Sequence, residues 1–288
     1  MKISVSSYSY SQYLRDGRLT QLDVVKAAAE AGFEGIEFTE IRPREGAAYE
    51  ERLDFAEKIR MEAEKYGISI VAYDVGASLY HESAEECTAE VERVCREIDI
   101  ASLLGAPLVR HDVCYSVRHG GRGRSFDAML PVIAQSARQI TEYALGKGIR
   151  TCSENHGYVA QDSDRVERLL GAVDHENYGL LVDIGNFACA DEDSASAVSR
   201  LAPYAFHVHA KDFKITPFGE YAEAQGIISR GCNQLCGCVI GEGDIPVARC
   251  LAILKRAGYN GFVTVEYEGS EDCLSGVARG KANLEKYI

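Results

Sequence analysis

Eight short apolar runs, each followed by residues at helical spacing, limit the folds open to this chain more than any other feature of its 288 residues. The runs fall at 3–6, 33–38, 68–73, 107–111, 149–153, 178–182, 205–209 and 261–266. Between them, Leu22, Val25, Ala28 and Ala29 recur at helical spacing up to Gly32, and charged helical patterns over 49–66 and 84–104 stop at Gly67 and Gly105. Further helices are expected around 126–145, near 194–201, over 247–257 and at the end of the chain through Ala278, Leu284 and Tyr287. Strand-then-helix alternation predicts a parallel sheet, because the right-handed crossover returns each strand parallel to the last. Eight units favour closure. A doubly wound dinucleotide-binding sheet would carry a G-x-G-x-x-G turn after its first strand, and none is present. The expected fold is α/β, a (β/α)8 barrel, forming one domain over 1–288 with no low-complexity linker.

The formal charge of −13 makes the surface repel polyanions, so no nucleic-acid partner is expected. No apolar run approaches the ~20 residues that span a bilayer. Residues 1–8 enter a strand-like run directly, without the long apolar segment of a signal peptide, and a cytoplasmic protein with no membrane partner is expected. The ten cysteines are irregularly spread and read as reduced and mostly buried. Cys232, Cys236 and Cys238 have a soft-metal spacing, but no fourth Cys or His lies near to complete a four-ligand zinc site. A homo-oligomer is compatible with the chain, although no exposed apolar helix face marks one.

Four of the runs end on residues that can hold a metal. Glu154 follows Thr151-Cys152-Ser153, Asp183 follows Leu180-Leu181-Val182, His209 ends Phe206-His207-Val208, and Glu266 follows Phe262-Val263-Thr264-Val265. In a (β/α)8 barrel the C-terminal strand ends converge even when distant in sequence. Three carboxylates and one imidazole make a hard, mostly oxygen donor set, better suited to Mn²⁺, Mg²⁺ or Co²⁺ than to a thiolate-type structural zinc site.

Around these ends lie Glu154-Asn155-His156, Asp183-Ile184-Gly185-Asn186, His209-Ala210-Lys211-Asp212, Gly241-Glu242-Gly243-Asp244-Ile245 and Glu266-Tyr267-Glu268. Together they resemble the xylose isomerase-like TIM barrels, and within them the sugar phosphate isomerase/epimerase group that includes ketose 3-epimerases and inosose dehydratases. Gly32-Phe33-Glu34-Gly35-Ile36-Glu37 resembles the second strand of that group. The resemblance implies that Glu154, Asp183, His209 and Glu266 ligate one divalent metal, usually Mn²⁺, with Mg²⁺, Co²⁺ or Zn²⁺ as alternatives. It also implies that His156, Asn186, Lys211 and Glu242 lie near a small-molecule sugar substrate.

Such a site acidifies the C–H next to a carbonyl by stabilising the enediolate. With Glu154 and Glu266 as opposed acid and base, the outcome is isomerisation or epimerisation of a keto sugar or a phosphorylated or glycosidic derivative. The alternative is a lyase of the same family, an inosose or dehydroshikimate dehydratase or a keto-glycoside-cleaving enzyme, in which a β-hydroxyl or aglycone leaves. The ketose 3-epimerases of the group carry His where this chain has Asn186 and Arg near Lys211, which brings inosose and 3-keto-glycoside enzymes closer. An apurinic endonuclease would need more His ligands than these and a basic face, and a non-catalytic sugar-binding barrel is the remaining reading. Glu37 and His111, at the tops of the second and fourth strands, are expected to contact sugar hydroxyls, with Tyr73 and Asp74 as weaker counterparts. His207 reads either as an acid–base group or as a packed barrel histidine. Lys211 reads as a ligand for a substrate oxygen or as the partner of a carboxylate such as Glu268. The basic stretch 118–124, with Arg118, His119, Arg122 and Arg124, is expected over the same face.

Overall fold

Strand-forming residues alternate with capped helices along the chain. A computed structural model describes residues 1–115, 125–221 and 226–288, so the basic stretch 118–124 lies outside the described residues. The strands β1 (Lys2–Ser6), β2 (Gly35–Thr39), β3 (Ser69–Val75), β4 (Leu108–His111), β5 (Arg150–Glu154), β6 (Tyr178–Asp183) and β7 (Ala205–Ala210) pair in sequence order and in parallel. β11 (Phe262–Val265) pairs with both β7 and β1 and closes the barrel.

Helices α2 (Gln21–Glu30), α3 (Tyr49–Tyr66), α4 (Ala84–Leu104), α5 (Phe126–Leu145), α6 (Ser163–Val173), α7 (Ser194–Leu201) and α8 (Val247–Arg256) pack side by side outside the strands. A short α1 (Ser11–Arg15) follows β1, and α9 (Cys273–Leu284) follows β11. Side-chain caps fix many of the helix starts: Thr20, Ser83, Ser125, Asp162, Asp193 and Asp272 each accept a hydrogen bond from a first-turn amide. Gly67 and Gly105 end α3 and α4 in the left-handed conformation.

One helix and a three-stranded sheet lie beyond the elements expected from the sequence. The α6 helix fills the connection between β5 and β6, its Val166, Leu169, Leu170 and Val173 buried. The segment 212–244, to which the sequence assigns no strand, holds an antiparallel sheet of β8 (Asp212–Thr216), β10 (Gln234–Cys238) and β9 (Ile227–Ile228), in the order β8-β10-β9. Cys236 and Cys238 lie on β10 and Cys232 just before it, and no metal-sized group of donors among the described residues includes them. None of the ten cysteines is in a disulfide. Among the described residues no helix is long and apolar enough to cross a membrane.

One buried layer inside the barrel fixes the facing of four strands. Ala72, Leu108, Cys152 and Leu181, from β3, β4, β5 and β6, contact one another in a cluster of their own. Side chains alternate along a strand, so the residues two further on, Asp74, Arg110, Glu154 and Asp183, point into the barrel above that layer. Its floor is compact, because Gly179 has no side chain to meet the Phe206 ring beneath it and the Arg150 guanidinium stacks on that ring at 3.3 Å.

Candidate functional site

Glu154, Asp183, His209 and Glu266 come together above the inner layer, each buried, with ligand atoms all within 4.8 Å of one another. His209 Nδ1 lies 3.9 Å from Glu154 Oε1, 4.0 Å from Asp183 Oδ2 and 3.5 Å from Glu266 Oε2. Asp183 Oδ2 and His209 Nδ1 are buried and have no hydrogen bond. Lone pairs crowded this closely, with Lys211 as their near donor, are what a bound cation would satisfy, and three carboxylates with one imidazole suit a divalent ion.

The local sequence explains why the carboxylates hold still. Asp183 Oδ1 accepts from the amides of Gly185 and Asn186 at 2.7 and 3.1 Å, and Asn155 clamps the Asp183 backbone through two 2.9 Å bonds. Gly185 is needed there, because a Cβ would come within 3.0 Å of the Lys211 carbonyl. Asn186 Nδ2 donates to Glu154 Oε1 at 2.8 Å, while Arg110 Nη2 bonds Glu154 Oε2 and lies 3.2 Å from Asp112 Oδ1. Lys211 Nζ sits 2.6 Å from Glu266, 3.3 Å from Asp183 and 3.3 Å from Glu268. Burial pushes the Asp183 carboxyl up to about 7, against the pull of Lys211. Burial disfavours the Lys211 ammonium, but Asp183, Glu266 and Glu268 outweigh it and hold the proton. Beside the cluster, a cavity is lined by Tyr115, His156, Tyr158, Asn186, Lys211 and Glu268. His156 Nδ1 is 3.0 Å from Asp112, and although burial lowers its basicity, that bond and the Glu154 charge leave it above its ordinary value.

Four residues expected at the substrate lie elsewhere. His111 follows the inward Arg110, so it faces out of the barrel: it is buried, its Nδ1 is 3.0 Å from the Asp112 carbonyl and its ring packs near Tyr178. Glu242 sits on the surface, paired with Arg279. Glu37 and His207 point inward but beneath the cluster, where His207 Nε2 lies 2.9 Å from Glu37 and 2.8 Å from Thr264 Oγ1. His207 is thus the packed histidine of the two readings, and Glu37 contacts histidines instead of solvent. Arg110 and Asp112 were not foreseen, and Arg110 follows only once the contact of Leu108 with Ala72, Cys152 and Leu181 shows which face of β4 is inward.

Fold and site together define a barrel enzyme of the kind that works from a carboxylate and imidazole cluster at the C-terminal strand ends. Residues 25–287 match the family model described as xylose isomerase-like TIM barrel, and the chain belongs to that family. It is 26% identical over 254 residues to the rhizopine catabolism protein MocC of Rhizobium meliloti, covering 83% of this chain and 72% of that protein. It is 25% identical over 262 residues to an inosose dehydratase of Geobacillus thermodenitrificans, covering 88% of this chain and 83% of that protein. The crystal structure of the IOLI protein with a bound zinc atom superposes with a TM-score of 0.76 at 14% identity, over 100% of this chain and 99% of that one.

Proposed function

We propose that this chain is a divalent-metal-dependent dehydratase of a polyhydroxylated ketone, an inosose or a related keto sugar. Glu154, Asp183, His209 and Glu266 would hold the ion. When bound, it supplies Lewis-acid polarisation of a substrate carbonyl and so eases removal of the proton on the neighbouring carbon. The asymmetry of the two glutamates carries the choice of outcome. Both Glu154 oxygens receive hydrogen bonds, from Asn186 and Arg110, whereas Glu266 faces the buried Lys211 ammonium at 2.6 Å. A carboxylate held at both oxygens and one that faces a single ammonium suit elimination better than a two-base epimerisation. Glu266 takes the proton from the carbon beside the carbonyl, a double bond forms, and the β-hydroxyl leaves as water after taking a proton from His156. Lys211 holds a substrate oxygen and keeps its own proton. The inosose dehydratase relative, matched over most of the chain, supports the same substrate class.

Epimerisation is the second reading, because Glu154 and Glu266 both border the cluster. Product mass separates them. With Mn²⁺ and an inosose, the proposal expects a product lighter by one water, and Glu266→Gln should lower kcat by about 10²–10⁴-fold. A product of unchanged mass would favour epimerisation. Solvent deuterium entering the substrate in both Glu266→Gln and Glu154→Gln would remove these glutamates from the proton transfer.

A further inference from the structure

We infer that Glu37 is a positioning residue that fixes the tautomer of His209, holding Nε2 protonated so that Nδ1 faces the three carboxylates as a bare lone pair. This rests on the proposed ion at Glu154, Asp183, His209 and Glu266. Glu37 is completely buried in the middle of β2, with Oε1 2.8 Å from His209 Nε2 and Oε2 2.9 Å from His207 Nε2. No Lys or Arg among the described residues pairs with it, so its charge is balanced only by imidazole N–H groups. Both imidazoles bring Nε2 to the carboxylate, His207 in a hydrogen bond and His209 in a close 2.8 Å contact, and a proton on each Nε2 is what balances the buried charge. His209 is left with Nδ1 towards Glu154, Asp183 and Glu266, the arrangement in which a carboxylate behind an imidazole orients it for a metal.

The protons beneath follow in order. The single His207 Nε2 proton is shared between Glu37 Oε2 at 2.9 Å and Thr264 Oγ1 at 2.8 Å, and Thr264 Oγ1 lies 2.6 Å from Ser4 Oγ. Glu37, His207 and His209 are themselves close enough together to hold an ion. The two Glu37 oxygens each face one of the imidazoles, at 2.8 and 2.9 Å. A glutamine at this position has one acceptor oxygen and turns an NH₂ group towards one of the two histidines, so it cannot impose the same tautomer on both.

The full chain, stripped by chelator, is titrated with Mn²⁺ by calorimetry. Wild type should bind one equivalent, Glu37→Gln should bind about 10–100-fold more weakly, and Thr264→Val, which removes a hydroxyl shared by His207 and Ser4 but leaves Glu37 in place, should bind as wild type does. In the Zn²⁺-loaded wild type, ¹⁵N NMR should find the His209 proton on Nε2, a reading that holds even if Glu37→Gln does not fold. Equal affinity of Glu37→Gln and wild type, a second equivalent in wild type, or zinc ligation through Nε2 would overturn the inference. Absence of any binding by wild type would overturn it together with the proposed ion. Wild-type binding with unaltered Glu37→Gln affinity would overturn the inference alone.

Discussion

At Glu154 a single carboxylate receives Asn186 on one oxygen and Arg110 on the other, and both partners come from neighbouring strand ends. Arg110 is buried with Glu154 and Asp112. Its removal leaves two carboxylates without their cation, and breaking a buried pair from one side costs about 3–5 kcal/mol. Arg110→Met, which keeps the length of the side chain, should therefore lower the unfolding free energy of the metal-free protein, read from its urea transition, by that order, and an unchanged transition would show that the pair carries no stability. The sequence reading placed His111 at this strand top because Leu108 and Val109 are both apolar and do not say which face is inward. The contact of Leu108 with Ala72, Cys152 and Leu181 settles it. Glu154, Asp183, His209 and Glu266 were legible for the opposite reason: each interrupts or ends an apolar run, so the change of polarity marks the position. Glu37 and His207 were visible as inward residues, but depth along the barrel axis leaves no trace in a single strand.

Among the elements, the connection from β7 to α8 was the hardest to foresee. Its strands pair across long stretches of chain, with Asp212–Thr216 against Gln234–Cys238, and their mixed polarity does not distinguish them from loop. The α6 helix, in contrast, carried its signal in an Asp162 cap and four apolar residues at helical spacing. What ties the long connection to the barrel is Asp212, whose carboxylate accepts from the amides of Phe213, Gly241, Gly243 and Ile245 at 2.8 to 3.1 Å. Gly243 is held so close that a Cβ would collide with that carboxylate, which explains the paired glycines around Glu242 and turns Glu242 outward to Arg279. A buried amide left unpaired costs about 1–3 kcal/mol. Asp212→Ala should thus speed hydrogen exchange at Gly241, Gly243 and Ile245 while amides of β3 to β6 keep their protection. Unchanged exchange at these three would show that the loop is held by other contacts.

Across the whole molecule the eight-stranded barrel brings β5, β6, β7 and β11 ends to one mouth, although they lie far apart in sequence. That convergence was readable from the alternation of strands and helices, since a closed parallel barrel has no other place for residues at C-terminal strand ends. Concentrating Glu154, Asp183, Glu266 and Glu268 there sets like charges close together, with Lys211 and Arg110 as the nearby cations. An ion that binds the folded chain and not the unfolded one adds RT ln(1 + [L]/Kd), about 2.7 kcal/mol when its concentration is 100 times Kd. At roughly 2–4 °C per kcal/mol for chains of 150–250 residues, that corresponds to a rise in Tm of several degrees. Chelator should therefore lower Tm, restored Mn²⁺ should raise it in a concentration-dependent way, and Asp183→Asn should respond far less than wild type. A Tm indifferent to chelator and to Mn²⁺ in wild type would mean that the four strand ends hold their charges without an ion.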